Sequence, residues 1–182
     1  MHATFPLTLA ALMMSASGPA CADVVALDSA SLELGAGAKV QMLQLDVQSR
    51  WEQHWFASNL GYLGAYWDGS LARWRGNAYR GTKGAHQSIT VIGLTPVLRY
   101  QAHERDGWYG ELGIGCRLMS SLYNNNRKRL STPFEFGDHL GAGYVFSNGW
   151  EAGLKLQHFS NGGIKQPNSG VNFAVLKLGK AF

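Results

Sequence analysis

The segment WEAGLKLQHFS at residues 150–160 decides how this chain folds. Leu154 and Leu156 alternate along it with Lys155 and Gln157. Successive side chains of a β-strand point to opposite faces, so this alternation predicts a strand with one apolar face and one polar face.

The same alternation recurs along the chain and predicts eight strands. They span roughly 27–36, 38–50, 59–74, 87–102, 108–120, 133–146, 150–160 and 172–182. Arg105-Asp106-Gly107 and Ser147-Asn148-Gly149 have the chemistry of tight hairpin turns, and Gly35–Gly37 marks another short connection. Longer polar loops are predicted at 75–86, 121–132 and 161–171. Short turns at one end and long loops at the other are typical of outer-membrane barrels, so we predict an all-β fold, an eight-stranded antiparallel transmembrane β-barrel.

The composition of the two strand faces indicates which face is inside. Glycines and charged residues share one face, which suits the interior of a small barrel, whereas a soluble lipocalin-like barrel would be apolar inside. The last strand ends in Phe182, which resembles the terminal aromatic residue of outer-membrane barrels. Six tryptophans near predicted strand ends or turns are expected to form interfacial girdles: Trp51, Trp55, Trp67, Trp74, Trp108 and Trp150.

The N-terminal residues are predicted to form a segment that is cleaved off. Residues 4–16 are mostly apolar and Ala20-Cys21-Ala22 is a cleavage signal, so we expect a signal peptide at 1–22 and the barrel at 23–182. A retained N-terminal anchor is the alternative, because the segment begins with little positive charge. After cleavage Cys116 would be the one remaining cysteine, which excludes an intrachain disulfide.

The charge of the chain favours an anionic partner. The formal net charge is +4 at pH 7, and the three long loops contain lysine and arginine but no acidic residue. In an outer-membrane barrel these loops would face lipopolysaccharide, whose lipid A phosphates suit Arg and Lys. We expect these lipid head groups to be bound by Arg127, Lys128, Arg129 and Lys165, and we expect no nucleic acid partner.

His158 and Ser160 are the candidate catalytic pair. They lie two residues apart on the apolar face of the strand at 150–160, where a polar residue is unfavourable without a reason. An interfacial position explains two such polar residues without any chemistry. A catalytic function explains them as a base and a nucleophile, because an imidazole activates a hydroxyl by accepting its proton. Backbone N–H groups of the following residues, 161–163, could stabilise an oxyanion.

The sequence HFSNGGIKQPNSG at 158–170 resembles the signature of the PagL family of lipid A 3-O-deacylases. The resemblance implies an eight-stranded barrel in the bacterial outer membrane that removes the ester-linked 3-hydroxyacyl chain at position 3 of lipid A, without a metal or other cofactor. It also implies that Ser160 is the nucleophile, that His158 is the base, and that Asn161 and Gly163 contribute to the oxyanion hole.

The third member of the family's triad is a glutamate, which should follow the turn that ends at Gly170. Val171 and Asn172 stand there instead. Asn172 shares the face of His158 by alternation and could orient the imidazole, although it would stabilise an imidazolium less than a carboxylate does. Asp138 is the second candidate, because a hairpin centred on Asn148 would place it directly opposite His158. We favour Asn172 as the positional replacement and keep Asp138 as the candidate carboxylate.

Two other classes of function remain open at this stage. One is a non-enzymatic barrel, an adhesin or structural protein of the outer membrane, in which Ser160 would be dispensable. The other is a different membrane lipid hydrolase, such as a phospholipase. The sequence also leaves open whether the barrel forms a homodimer.

Overall fold

The chain folds into a closed barrel of eight long antiparallel strands. The computed structural model describes residues 26–102 and 106–182; the predicted signal peptide and Arg105 of a predicted turn lie outside them. The strands are β1 Ser29–Gly37, β2 Val40–Arg50, β3 Gly61–Gly76, β4 Gln87–Gln101, β5 Gly107–Met119, β6 Phe134–Val145, β7 Trp150–Ser160 and β8 Val171–Ala181. Each strand pairs with its neighbours in sequence, and pairing of β1 with β8 closes the barrel. The predicted fold class is confirmed.

The wall of the barrel is apolar outside and polar inside. On β7, Leu154 and Leu156 are 63% and 67% exposed, whereas Lys155 between them is buried. Several of the buried charges pair across the interior, with Arg99 2.6 Å from Glu111 and Lys155 2.5 Å from Glu33. This distribution is the one that transmembrane barrels use. Across the described residues, no helix is long and apolar enough to cross a membrane.

An aromatic cluster fills the interior at the end of the barrel that carries the long loops. Trp74 lies 4.6 Å from Phe159 and 4.8 Å from Phe173 between ring centroids, and all three side chains are buried. The prediction of an interfacial position is therefore wrong for Trp74, whose side chain faces inward on β3. Trp108, by contrast, is 76% exposed on the outer surface.

Two connections differ from the sequence prediction. Gly35 and Gly37 lie inside β1, and the turn is made by Ala38 and Lys39, with Lys39 at a φ of 63°. Between β2 and β3 a short strand, Trp55–Ser58, pairs with the start of β3. Neither difference changes which residues face outward, because the inward and outward alternation of the long strands is kept.

Candidate active site

His158 lies on the outer face of β7, close to the end that carries the long loops. Its orientation follows from Phe159, which is 1% exposed and packs inward against Trp74 and Phe173. Because neighbouring residues of a strand point to opposite faces, the burial of Phe159 turns both His158 and Ser160 outward. The aromatic cluster thus anchors the strand segment that carries the candidate catalytic pair.

Both candidates for the third catalytic residue lie beside His158. The register pairs His158 with Asn172 on β8 and with Asp138 on β6. The pairing of positions 138 and 158 predicted from the hairpin around Asn148 is therefore confirmed. The imidazole, however, forms a hydrogen bond with only one of them: His158 Nδ1 lies 2.5 Å from Asn172 Oδ1. Within residues 26–102 and 106–182, no hydrogen bond or ion pair joins His158 to Asp138.

The bond to Asn172 determines which imidazole nitrogen can accept a proton. An amide oxygen only accepts hydrogen bonds, so the Nδ1–H of His158 is the donor. In the neutral imidazole the other nitrogen, Nε2, then carries the free lone pair. This tautomer is the one that a general base needs when an orienting residue is bonded to Nδ1.

Ser160 is the last residue of β7, half-buried on the same face as His158. It pairs in register with Phe136 on β6. Among the described residues, the Ser160 hydroxyl forms no hydrogen bond with His158. Catalytic hydrogen bonds of this kind commonly tighten only in the substrate complex, so the two residues stay the candidate base and nucleophile.

Gly170 supports the imidazole from the neighbouring loop. It has a φ of +63°, and a Cβ added to it would lie 2.7 Å from His158 Cε1. Only glycine combines this backbone conformation with so close an approach. The sequence motif included Gly170, but its contact with His158 was not predicted. The glycine at the end of the long turn is the sequence signal that could have indicated such a close approach.

The turn after Ser160 is ordered by Asn161, whose side chain is fully buried. Its Nδ2 donates to the Lys165 carbonyl at 2.8 Å, and its Oδ1 accepts from the Gly163 N–H at 3.0 Å. The Asn161 N–H donates to Asn168 Oδ1 at 3.2 Å. Both backbone donors that the family resemblance assigned to the oxyanion hole are therefore bonded to protein acceptors. In the described part of the chain the N–H of Gly162, between them, forms no hydrogen bond, so Gly162 is the donor that is free.

The predicted substrate-binding cations lie in two loops that contact each other. A small hairpin, strands Asn124–Asn125 and Lys128–Arg129, turns at Asn126 and Arg127, whose positive φ values of 53° and 61° fit a type I′ turn. Arg129 exchanges hydrogen bonds with Ser169, in the loop that contains Lys165. The hairpin and the 161–170 loop are therefore joined next to the candidate site, with Arg127, Arg129 and Lys165 exposed.

Comparison with known proteins covers most of this barrel and the whole candidate site. Residues 39–181 match the protein family described as lipid A 3-O-deacylase (PagL). The chain is 29% identical over 162 residues to lipid A deacylase PagL of Pseudomonas aeruginosa, covering 88% of this chain and 90% of that protein. It is 32% identical over 148 residues to lipid A deacylase PagL of Bordetella bronchiseptica, covering 80% and 79%. The crystal structure of the outer membrane enzyme PagL matches with a TM-score of 0.72 at 26% identity, over 85% of this chain and 99% of that one.

Proposed function

This chain belongs to the PagL family of lipid A 3-O-deacylases, and from that membership we propose a mechanism for its own residues. It is an outer-membrane hydrolase whose substrate is lipid A. Ser160 is the nucleophile, His158 is the general base, and Asn172 holds the imidazole. The reaction hydrolyses the ester that links a 3-hydroxyacyl chain to position 3 of lipid A.

The first half of the reaction transfers the acyl group to Ser160. His158 Nε2 takes the hydroxyl proton while Oγ attacks the ester carbonyl, and the resulting oxyanion is stabilised by N–H groups of the 161–163 turn. The imidazolium then gives that proton to the departing sugar oxygen at position 3. Water, activated by the same imidazole, cleaves the acyl-serine and releases the 3-hydroxy fatty acid.

The observation that carries this proposal is the bond between His158 Nδ1 and Asn172 Oδ1. It leaves Nε2 as the acceptor on an imidazole that shares the outer face with Ser160. Exposed Leu154 and Leu156 continue the same outer face along β7, so an acyl chain in the membrane can reach Ser160 without leaving its lipid surroundings. The roles of Asn161 and Gly163 stay predictions, since a substrate oxygen would have to replace their protein acceptors, whereas the Gly162 N–H is available at once.

The basic residues Arg127, Lys128, Arg129 and Lys165 support the same substrate. Placed on loops next to the candidate site, they can attract the phosphates of lipid A. The homodimer that the sequence left open also stays a prediction.

Mass spectrometry of lipid A from Gram-negative cells that express the chain tests the proposal. Wild type should remove one ester-linked 3-hydroxyacyl chain, and Ser160→Ala should not. Folding of both proteins is checked by the shift in gel mobility between heated and unheated samples. Identical acyl patterns in the two strains, with both barrels folded, would rule out the serine mechanism.

A further inference from the structure

A second feature of the outer surface lies beside the candidate active site. It is a shallow groove of about 660 Å³ in the wall formed by β1, β2, β3, β7 and β8. The small residues Ala36 and Ala174 form its floor. Larger side chains line it as well, including Leu34, Gln41, Leu43 and Leu176. Ala174 also lines the neighbouring depression that contains His158 and Asn172, so the two hollows adjoin.

The register shows where the groove leads. Leu156 pairs with Ala174, Ala174 with Ala36, Ala36 with Gln41, and Gln41 with Arg75. This row begins two residues before His158 on β7 and ends on β3 after four strand spacings, roughly 19 Å along the wall. This row, which is apolar except at Gln41, therefore connects the candidate catalytic residues with an arginine on the same outer face.

Two arginines, Arg73 and Arg75, stand on that outer face at the far side of the groove. Both side chains are exposed and both line the groove. Arg73 Nη1 donates to Thr90 Oγ1 at 2.7 Å, and in the described part of the chain its other donors form no hydrogen bond. Arg75 forms no side-chain hydrogen bond or ion pair within residues 26–102 and 106–182.

Charged groups on the lipid face of a barrel are unfavourable, although the penalty falls toward the interface. Arg75 lies one residue and Arg73 three residues before the end of β3 at Gly76, which is the end that carries a long loop. Both guanidinium groups are therefore close to the level of the lipid head groups. At this level an arginine that has unused donors is matched best by a phosphate, which it can bind through two parallel hydrogen bonds.

We propose that Arg73 and Arg75 bind a phosphate group of lipid A while acyl chains of the same molecule lie in the groove, which sets the position of the scissile ester at Ser160. The inference rests on the proposed function. Arg73 and Arg75 act as positioning residues, because the phosphate that they bind is remote from the ester that reacts. They also make the enzyme selective for phosphorylated lipid A over neutral glycolipids.

The test uses detergent-solubilised protein and two substrates, lipid A with its phosphates and the same lipid A after phosphatase treatment. The double variant R73Q/R75Q should raise KM on phosphorylated lipid A by roughly tenfold, as expected for the loss of charge-assisted hydrogen bonds, with a smaller change in kcat. On the dephosphorylated substrate it should match wild type. The control R80Q/K83Q removes the same charge from the adjacent loop and should stay within about twofold of wild type on both substrates.

The outcomes separate this inference from the proposed function. Wild type that is inactive on both substrates contradicts the proposed function. If wild type is active, two results would overturn the phosphate site. One is an unchanged KM of R73Q/R75Q on phosphorylated lipid A, and the other is an equal loss of activity of this variant on both substrates. A changed oligomeric state of R73Q/R75Q with an unchanged KM also overturns it, because the groove would then be a contact between barrels.

Two further measurements guard against a folding defect. The single variant R75Q is measured in the same way and should show a smaller rise in KM on phosphorylated lipid A alone. Binding is measured without turnover in S160A, with and without R73Q/R75Q, on vesicles that contain phosphorylated lipid A. Equal retention of the two proteins on these vesicles would overturn the inference.

Discussion

His158 Nδ1 lies 2.5 Å from Asn172 Oδ1, so an amide on β8 holds the imidazole of β7. A carboxylate at this place would also stabilise the imidazolium that forms when Ser160 loses its proton. An amide supplies the orientation and the tautomer without the charge. On the roles proposed for Ser160 and His158, the third member of the triad is therefore neutral, and the effect of replacing a carboxylate by an amide can be measured.

We expect Asn172→Glu to raise kcat and Asn172→Ala to lower it. The glutamate adds a negative charge next to the imidazolium, and charge-assisted hydrogen bonds are roughly twice as strong as neutral ones, so a rise of about tenfold is expected. The alanine leaves Nδ1 without a partner and should lower kcat by at least about tenfold. Release of 3-hydroxy fatty acid from lipid A measures both. Equal rates in wild type and Asn172→Ala would show that this bond has no part in catalysis.

Asp138→Asn should lower the rate less than Asn172→Ala does. Asp138 is opposite His158 in the register but is not bonded to it, so its carboxylate acts through the electrostatic field alone. The asparagine keeps the shape of the side chain and removes only the charge. If Asp138→Asn proves the more damaging of the two substitutions, Asp138 is the residue that supports His158 during the reaction.

Gly170→Ala should abolish most of the activity while the barrel stays folded. The added methyl group would lie 2.7 Å from His158 Cε1 and would push the ring away from Asn172. Gly84→Ala is the matched control, because Gly84 also has a positive φ, of +80°, and a Cβ added there meets nothing within 4 Å. Both variants carry the backbone cost of roughly 1–2 kcal/mol, so a loss of activity confined to Gly170→Ala isolates the contact with His158.

Phe159→Ala should destabilise the barrel by about 3–5 kcal/mol, the range for removing a buried phenylalanine. Phe159 is 1% exposed and contacts Trp74 and Phe173. Phe146→Ala is the control on the outer surface, where the ring is 46% exposed, and should cost less. Urea unfolding in lipid vesicles gives the two free energies of unfolding. Similar values for the two variants would mean that the aromatic cluster does not anchor β7.

The triple variant R127Q/K128Q/R129Q should weaken the binding of lipid A at low salt more than at high salt. These charges lie on a loop, where interactions are screened over roughly 8–10 Å at physiological ionic strength. Binding of the S160A form of each protein to lipid A vesicles, measured at two salt concentrations, tests this. A loss of binding that does not depend on salt would indicate that the hairpin itself has been disrupted.

Strand alternation was sufficient to predict most of the fold. It identified the eight strands, the outward direction of His158 and Ser160, and the pairing of positions 138 and 158, because these depend on local periodicity and on one symmetric turn. It failed at Trp74, since a tryptophan near a strand end can point either to the lipid interface or into the barrel. Only the packing against Phe159 and Phe173 distinguishes the two.

The details of the site could not be predicted from the sequence and became clear only from the structure. The sequence left Asn172 and Asp138 as alternatives because both neighbour His158 across a strand pair, and hydrogen-bond geometry is not encoded in periodicity. It also placed Arg75 in a loop, because the predicted strand ended at residue 74, so this arginine was not recognised as part of the lipid-facing wall. The engagement of the Asn161 and Gly163 N–H groups likewise depends on how the 161–170 loop closes on itself.

The bond between β7 and β8 has a consequence for the time at which the enzyme becomes active. His158 and Asn172 are fourteen positions apart and meet only when their two strands pair. A shift of that pairing by one residue would turn the catalytic face of one strand into the lumen. An unassembled chain therefore lacks this contact, and on the roles proposed for His158 and Asn172 it holds no oriented base until the two strands have paired.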